Sequence, residues 1–213
     1  MQVNNRKMYH FNSPKSHQEI WTIDNEFIVD DNYNASLVDI ALKHDYRIKI
    51  KDDTPALSSV LRYNHKTDFE NLSIKHMKMF LEDSMRMLHE ANIALRELAL
   101  EEFRRKYHPE LPSRYSSIWV CNKAGLKYWE KTFNSDVKDE DKRDLFKLDL
   151  TGTLFKTSDE FLPEFGQSYK SIYETADKYW EPNFKDKHDE KKVEYLFKGK
   201  VRVLEKVDYT NMK

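Results

Sequence analysis

Glycine is scarce in this sequence: there are four among 213 residues, at positions 125, 152, 166 and 199, and none in the first 124. A P-loop and the Gly-x-Gly-x-x-Gly dinucleotide fingerprint both need closely spaced glycines, so both are excluded, and any nucleotide has to be held by another architecture. Cysteine occurs once, at Cys121, which excludes an internal disulfide and a cysteine-based zinc cluster. No run of about 18 apolar residues exists, so no membrane-spanning helix is expected. Met1 to Ser13 lacks the basic start and apolar stretch of a secretion signal, and a cytoplasmic protein is the expectation. An excess of one charge is missing too. With 36 basic and 37 acidic side chains the formal net charge is -1, which leaves no global field to attract nucleic acid or an anionic membrane.

What is present is charge and aromatic rings. Charged residues make up 34% and apolar ones 39%, with a mean hydropathy of -0.86. The 12 Tyr, 12 Phe and 4 Trp argue against a disordered chain, which is poor in rings. The length suits one domain. Lys7 to Phe11 reads as a strand stopped by Asn12, Ser13 and Pro14, and Trp21 to Val29 as a second extended piece. Residues 34–49 suggest one or two helical turns, followed by a turn at Asp52, Asp53 and Pro55. From Asp68 to Tyr107, apolar residues recur at three- and four-residue steps without Gly or Pro. One helix of that length would reach roughly 60 Å, so two helices broken near Asn92 are expected. Pro109 and Pro112 end the helical region. Ser116 to Cys121 reads as a strand, Ala124 to Phe133 as a short helix and Asn134 to Arg143 as a charged loop. Leu145 to Lys156 reads as a hairpin or bulged strand around Gly152. Ser168 to Trp180 is an amphipathic helix ended by Pro182, and residues 183–192 form a second charged loop. Val193 to Phe197 and Lys200 to Lys206 flank Gly199 as a terminal strand or hairpin. Strand, helical middle, then mostly strands is an α+β order with no βαβ alternation.

Few constellations carry chemistry. His89 and Glu90 do not open a zinc-protease motif, and the eight histidines show no pair at ligand spacing, so no metal is expected. Cys121 has no acidifying neighbour in sequence and reads as an inert buried thiol. Three separated segments remain. Met8-Tyr9-His10-Phe11 opens the chain. Pro112-Ser113-Arg114, at a helix-to-strand junction, sets a hydroxyl and a guanidinium on a rigid corner that suits a phosphate or ribose, or else an arginine paired with nearby acids. Lys192-Val193-Glu194-Tyr195-Leu196-Phe197 puts a carboxylate beside an apolar strand, where it costs energy unless paired or used.

Together, the opening Tyr-His strand, the mid-chain Pro-Ser-Arg strand with a following tyrosine, and the Glu-Tyr-Leu strand entering Gly199-Lys200-Val201-Arg202-Val203 resemble the ADP-ribosyltransferase superfamily. The chain looks like an uncharacterised bacterial branch in which the text around Phe103-Arg104, Pro112-Ser113-Arg114 and Asp159-Glu160-Phe161-Leu162 recurs. The resemblance implies a split antiparallel β-sheet that grips NAD as co-substrate without a glycine loop. It also implies a single domain over residues 1–213 with a helical insert at 68–107. By likeness to the histidine-tyrosine-glutamate group, His10 would bind the adenosine-side ribose and Glu194 would be the catalytic carboxylate. Trp119 would stand at the first tyrosine of that group, with Tyr115 as the alternative, and Tyr128 would stack on nicotinamide. Ser113 and Arg114 would meet the cofactor, Arg114 at its pyrophosphate. Asp159 is a rival acid with poorer strand context than Glu194.

The implied reaction breaks the nicotinamide–ribose bond and transfers ADP-ribose to a macromolecule, whether RNA, DNA or protein, as bacterial toxins and phage-defence effectors of the superfamily do. An antitoxin or chaperone is an expected partner, for which the methionines at 77, 79, 85 and 87 offer a surface if they are not core. Two other classes stand beside this reading. One is a catalytically inactive NAD or ADP-ribose binding module, and the other is a helical interaction protein without a nucleotide site.

Overall fold

The computed structural model describes residues 1–13, 20–33, 74–135, 137–181 and 189–208. The expected helical turns at 34–49, the turn at Asp52 to Pro55, the start of the helical segment at 68–73 and most of the loop at 183–192 lie outside them.

The described chain has a mixed α and β fold built on one antiparallel sheet. Its strands are β1 (Gln2–Asn12), β2 (Glu26–Val29), β3 (Ile118–Val120), β4 (Asp144–Ser158) and β5 (Val193–Val207), in the order β1-β4-β5-β2 with β3 also on β5. Three helices accompany them: α1 (Ile74–Tyr107), α2 (Leu126–Asn134) and α3 (Tyr169–Trp180). β4 and β5 pair along almost their whole length, from Leu145↔Val207 to Ser158↔Val193. β3 and β2 share the other edge of β5, at Tyr195–Phe197 and Gly199–Arg202. The sheet curls until β1 meets the end of β3. Tyr9 and Cys121 exchange backbone hydrogen bonds of 2.9 and 2.8 Å there, as an isolated bridge outside the regular strand pairing.

Each of the two glycine-centred segments is one continuous strand and not a hairpin. Gly152 and Gly199 stand opposite each other, with φ of 155° and 143°. A Cβ on Gly152 would lie 2.4 Å from the Lys198 carbonyl oxygen, and one on Gly199 2.5 Å from that of Thr151. Glycine serves here to let two backbones approach, and it does not turn the chain.

The helical middle also differs from expectation. α1 runs unbroken through Asn92 for 34 residues, roughly 50 Å at 1.5 Å per residue. Asn92 does not interrupt it, because its amide donates to the Leu88 carbonyl (2.7 Å) and accepts from the Gly166 N–H (3.0 Å). Among its described side chains the buried ones lie in the second half. Ala94, Glu97, Ala99, Leu100, Glu101 and Arg104 are buried, whereas Ile74, Leu81, Met85 and Leu88 are exposed. Of the expected methionine stripe, Met85 is exposed and Met87 half-buried.

Three apolar clusters hold the elements. Met8, Trp21, Phe146, Leu148, Leu150 and Val203 form one buried cluster on the sheet. Leu100, Phe155, Ala176, Tyr179, Trp180 and Leu196 join α1 and α3 to β4 and β5. Phe11, Cys121, Leu126, Trp129 and Leu145 seat α2 at the seam between β1 and β3. α3 begins where expected: Ser168 caps it by accepting from the Ser171 N–H at 3.2 Å.

Candidate active site

The seam between β1 and β3 opens into a cleft of about 100 Å³. Its walls carry residues 9–13 of the first strand, residues 117–121 around β3, Trp129 and Phe133 of α2, Arg143, and Glu194 at the start of β5. Three residues far apart in sequence, His10, Trp119 and Glu194, therefore line one cleft.

His10 is fixed on two sides. Its ring stacks on Trp21 with centroids 4.4 Å apart, and Nδ1 lies 2.7 Å from the Trp119 carbonyl oxygen. A carbonyl only accepts, so Nδ1 carries the proton and Nε2 has the lone pair. Burial lowers the pKa of His10 to about 4, with the Arg143 charge acting in the same direction and the hydrogen bonds to the Trp119 carbonyl and the Asn12 side chain opposing it. The ring is neutral at neutral pH.

Glu194 is 7% exposed. Oε1 accepts from the Tyr179 hydroxyl at 2.5 Å and from Arg114 Nη1 at 3.1 Å. Arg114 Nη1 also meets the Tyr179 oxygen. Asp159 adds a negative charge from the turn after β4. Burial raises the Glu194 pKa, while Arg114 and the Tyr179 hydrogen bond pull against it. Oε2 accepts no hydrogen bond from any described residue.

Arg114 sits in the helix-to-strand corner, as its position after Pro112 implies, but its partners are acids. Nε donates to Glu97 Oε2 at 2.6 Å and Nη2 to Oε1 at 3.0 Å, the fork-on-fork geometry that a guanidinium favours. The guanidinium also lies over the rings of Trp119 (5.1 Å) and Tyr179 (4.8 Å). Burial disfavours its charge, yet Glu97, Tyr179 and Glu194 outweigh that and hold it protonated well above its ordinary range. Every hydrogen-bonding edge of Arg114 that the structure records is directed at protein, so it supports Glu194 and does not face the cleft. Ser113 is likewise structural here. Its hydroxyl donates to Glu101 Oε2 at 2.9 Å and accepts from the Tyr115 N–H at 3.1 Å.

The aromatic residues divide in a way the sequence alone does not reveal. Trp119 lines the cleft, and Tyr115, buried beside Glu97 and Glu101, does not. Tyr128 is not among the lining residues. Its hydroxyl donates to Asp159 Oδ2 at 2.5 Å, and the rings that α2 turns toward the cleft belong to Trp129 and Phe133. Cys121 lies in the wall as a buried thiol, its pKa pushed up to about 12 by burial, which removes the thiolate needed for nucleophilic chemistry.

A family described as "Protein of unknown function (DUF2441)" matches residues 8–209. The chain belongs to the DUF2441 family. That span begins in β1 two residues before His10 and ends after β5, so it includes every side chain of this cleft. No curated protein matches the chain.

Of the residues lining the cleft only His10, Trp119 and Glu194 were predicted as site residues, and among the others Arg143 and Phe133 matter most for its chemistry. Arg143, within the stretch read as a charged loop, has its guanidinium 4.0 Å from the Phe133 ring centroid. It is the cationic side chain among the described residues of the cleft, since His10 is neutral. Phe133 in turn stacks on Trp129 at 5.5 Å. The signal available was weak: a basic residue at the first position before a strand. Among the described residues no three His, Cys, Asp or Glu side chains gather as a metal-ligand set. No helix of the described residues is long and apolar enough to cross a membrane.

Proposed function

We propose that this DUF2441 protein is an NAD-dependent ADP-ribosyltransferase of the histidine-tyrosine-glutamate type, with the β1–β3 seam as its NAD cleft. The observation that carries this reading is the convergence of a first-strand histidine, a β3 aromatic and a late-strand glutamate on one cleft. The near absence of glycine fits it, because a curled sheet with a seam needs no phosphate loop.

In the proposed reaction, the bond between nicotinamide nitrogen and ribose C1′ breaks and its electron pair leaves with nicotinamide. Positive charge develops over the ribose ring. An acceptor oxygen or nitrogen then bonds C1′ and loses its proton. Glu194 Oε2 stabilises the developing charge and holds the 2′-hydroxyl, while Oε1 stays anchored to Tyr179 and Arg114. Trp119 and Trp129 supply flat faces for nicotinamide, in place of Tyr128. His10 offers its Nε2 lone pair to a ribose hydroxyl. With Arg114 committed to Glu97 and Glu194, Arg143 is the group suited to the diphosphate. The acceptor is a macromolecule, and the setting is that of a bacterial toxin or phage-defence effector with an antitoxin or chaperone partner.

The experiment compares wild type and Glu194→Gln for nicotinamide release from NAD, and for ADP-ribose transferred to protein and to nucleic acid in expressing cells. Wild type releases nicotinamide, and Glu194→Gln is slower by about 10² to 10⁴. Full activity in the variant overturns the assignment of Glu194. NAD binding without nicotinamide release selects the inactive binding module instead, a reading favoured by Trp119, which lacks the phenolic hydroxyl of the first tyrosine in the histidine-tyrosine-glutamate group.

A further inference from the structure

Glu194 is held by one oxygen only. The two donors that reach it, Tyr179 and Arg114, both bind Oε1, and Oε2 takes none from the described residues. We propose that Tyr179 is a positioning residue, whose hydroxyl, backed by Arg114, pins Oε1 and so presents Oε2 to the ligand in the cleft. The proposal rests on the reading of Glu194 as the reacting carboxylate.

The surroundings of Tyr179 are built for that purpose. The residue is fully buried near the end of α3, and a hydroxyl taken out of water there is costly unless it is bonded. Its backbone carbonyl accepts from Thr157 Oγ1 at 2.8 Å, and Thr157 stands opposite Glu194 in the β4–β5 register. The neighbouring Trp180 is locked in turn, donating from Nε1 to the Leu100 carbonyl at 2.9 Å. Backbone and hydroxyl of Tyr179 are thus both referenced to one strand pair. Arg114 is set independently by its two-point contact with Glu97 on α1. Rotating the Glu194 carboxylate would break both bonds to Oε1, so a single orientation is retained, which is what a reacting group needs before its substrate arrives.

The test uses the full chain carrying glutamate labelled with ¹³C at the side-chain carboxyl. The charged and titratable groups that face Glu194 are Arg114 before β3, Glu97 on α1 behind it, Tyr179 on α3 and Asp159 after β4. Tyr179→Phe keeps the ring and removes a donor to the carboxylate, so the Glu194 titration midpoint rises. Glu97→Gln removes a second buried negative charge, so that midpoint falls. In turnover of NAD, Tyr179→Phe lowers kcat for nicotinamide release roughly 10- to 100-fold with KM little changed. A tyrosine that only fills space moves neither the midpoint nor kcat, and that result overturns the proposal even where wild type turns over NAD. A wild type that releases no nicotinamide while both midpoints shift in the stated directions sinks the transferase reading and keeps the anchoring of Glu194. Should Tyr179→Phe fail to fold, fluorotyrosine at position 179, which keeps the ring and strengthens the hydroxyl as a donor, decides: a lower Glu194 midpoint supports the anchoring, and no movement refutes it.

Discussion

Two acid–base clusters lie one turn apart on α1, and they differ in what they reach. Glu97 clamps Arg114, whose third nitrogen meets Glu194 at the cleft, and all three side chains are at most 9% exposed. Glu101 gathers Arg104 (2.8 and 3.0 Å), Arg105 (3.0 Å) and Ser113 (2.9 Å), and Arg104 goes on to the carbonyls of Pro109 and Leu111. This second cluster ties the end of α1 to the Pro-Ser-Arg corner, and one of its arginines, Arg105, is largely exposed. The residue types are the same and the consequence is not. The first cluster passes from a helix through a corner to a sheet and ends on a carboxylate in a cleft. The second closes on its own neighbourhood.

The largest expected difference is in stability. Arg114→Ala strips Glu194 of its cation and leaves Glu97 with only Arg96 Nη2 at 3.4 Å, so it costs about 3 to 5 kcal/mol in urea unfolding. Arg104→Ala leaves Glu101 its bonds from Arg105 and Ser113 and costs about 1 to 3 kcal/mol. An equal or larger loss at Arg104 would break the comparison. A smaller contrast comes from acid. The folded-state pKa of His10, about 4, lies below its ordinary 6.5, so the native state binds fewer protons than the unfolded one across that window. Stability is therefore lost as pH falls from about 6.5 toward about 4. His10→Asn is expected to flatten this slope in urea midpoints measured against pH. An unchanged slope would place the acid sensitivity away from the seam. The smallest effect belongs to Ser113→Ala, which loses two hydrogen bonds in the second cluster. Its cost is on the order of 1 kcal/mol, and nicotinamide release stays at the wild-type rate. A drop in turnover there would show that the second cluster also serves the cleft.

Local pattern made several elements readable. The short apolar runs at Lys7–Phe11 and Val193–Phe197, the alternation of Val201 and Val203, and the apolar spacing before Pro182 made two strands and α3 legible, because burial leaves a pattern in the sequence. Less readable were the places where length or punctuation misled. The expected break at Asn92 did not occur, since that side chain bonds within and beside the helix. Gly152 and Gly199 suggested turns singly, and their meaning as a facing pair appears only when β4 lies on β5. Arg114 was legible as a rigid-corner guanidinium, with acids as one of its two possible partners. Tyr179 was legible as one apolar position of a helix. Nothing in its neighbourhood indicates that its hydroxyl ends on Glu194, and nothing in the charged loop indicates that Arg143 stacks on Phe133 at the cleft.

By itself the sequence determined where several strands and helices lie, that no glycine loop holds a phosphate, and which few ionisable residues stand in apolar surroundings, because these follow from local periodicity and composition. Only the tertiary structure decided which of them meet. Tyr179, Arg114 and Glu97 converge on Glu194, and Tyr128 turns away to Asp159, because a side chain's partner is set by strand register and helix packing over separations that no local pattern encodes.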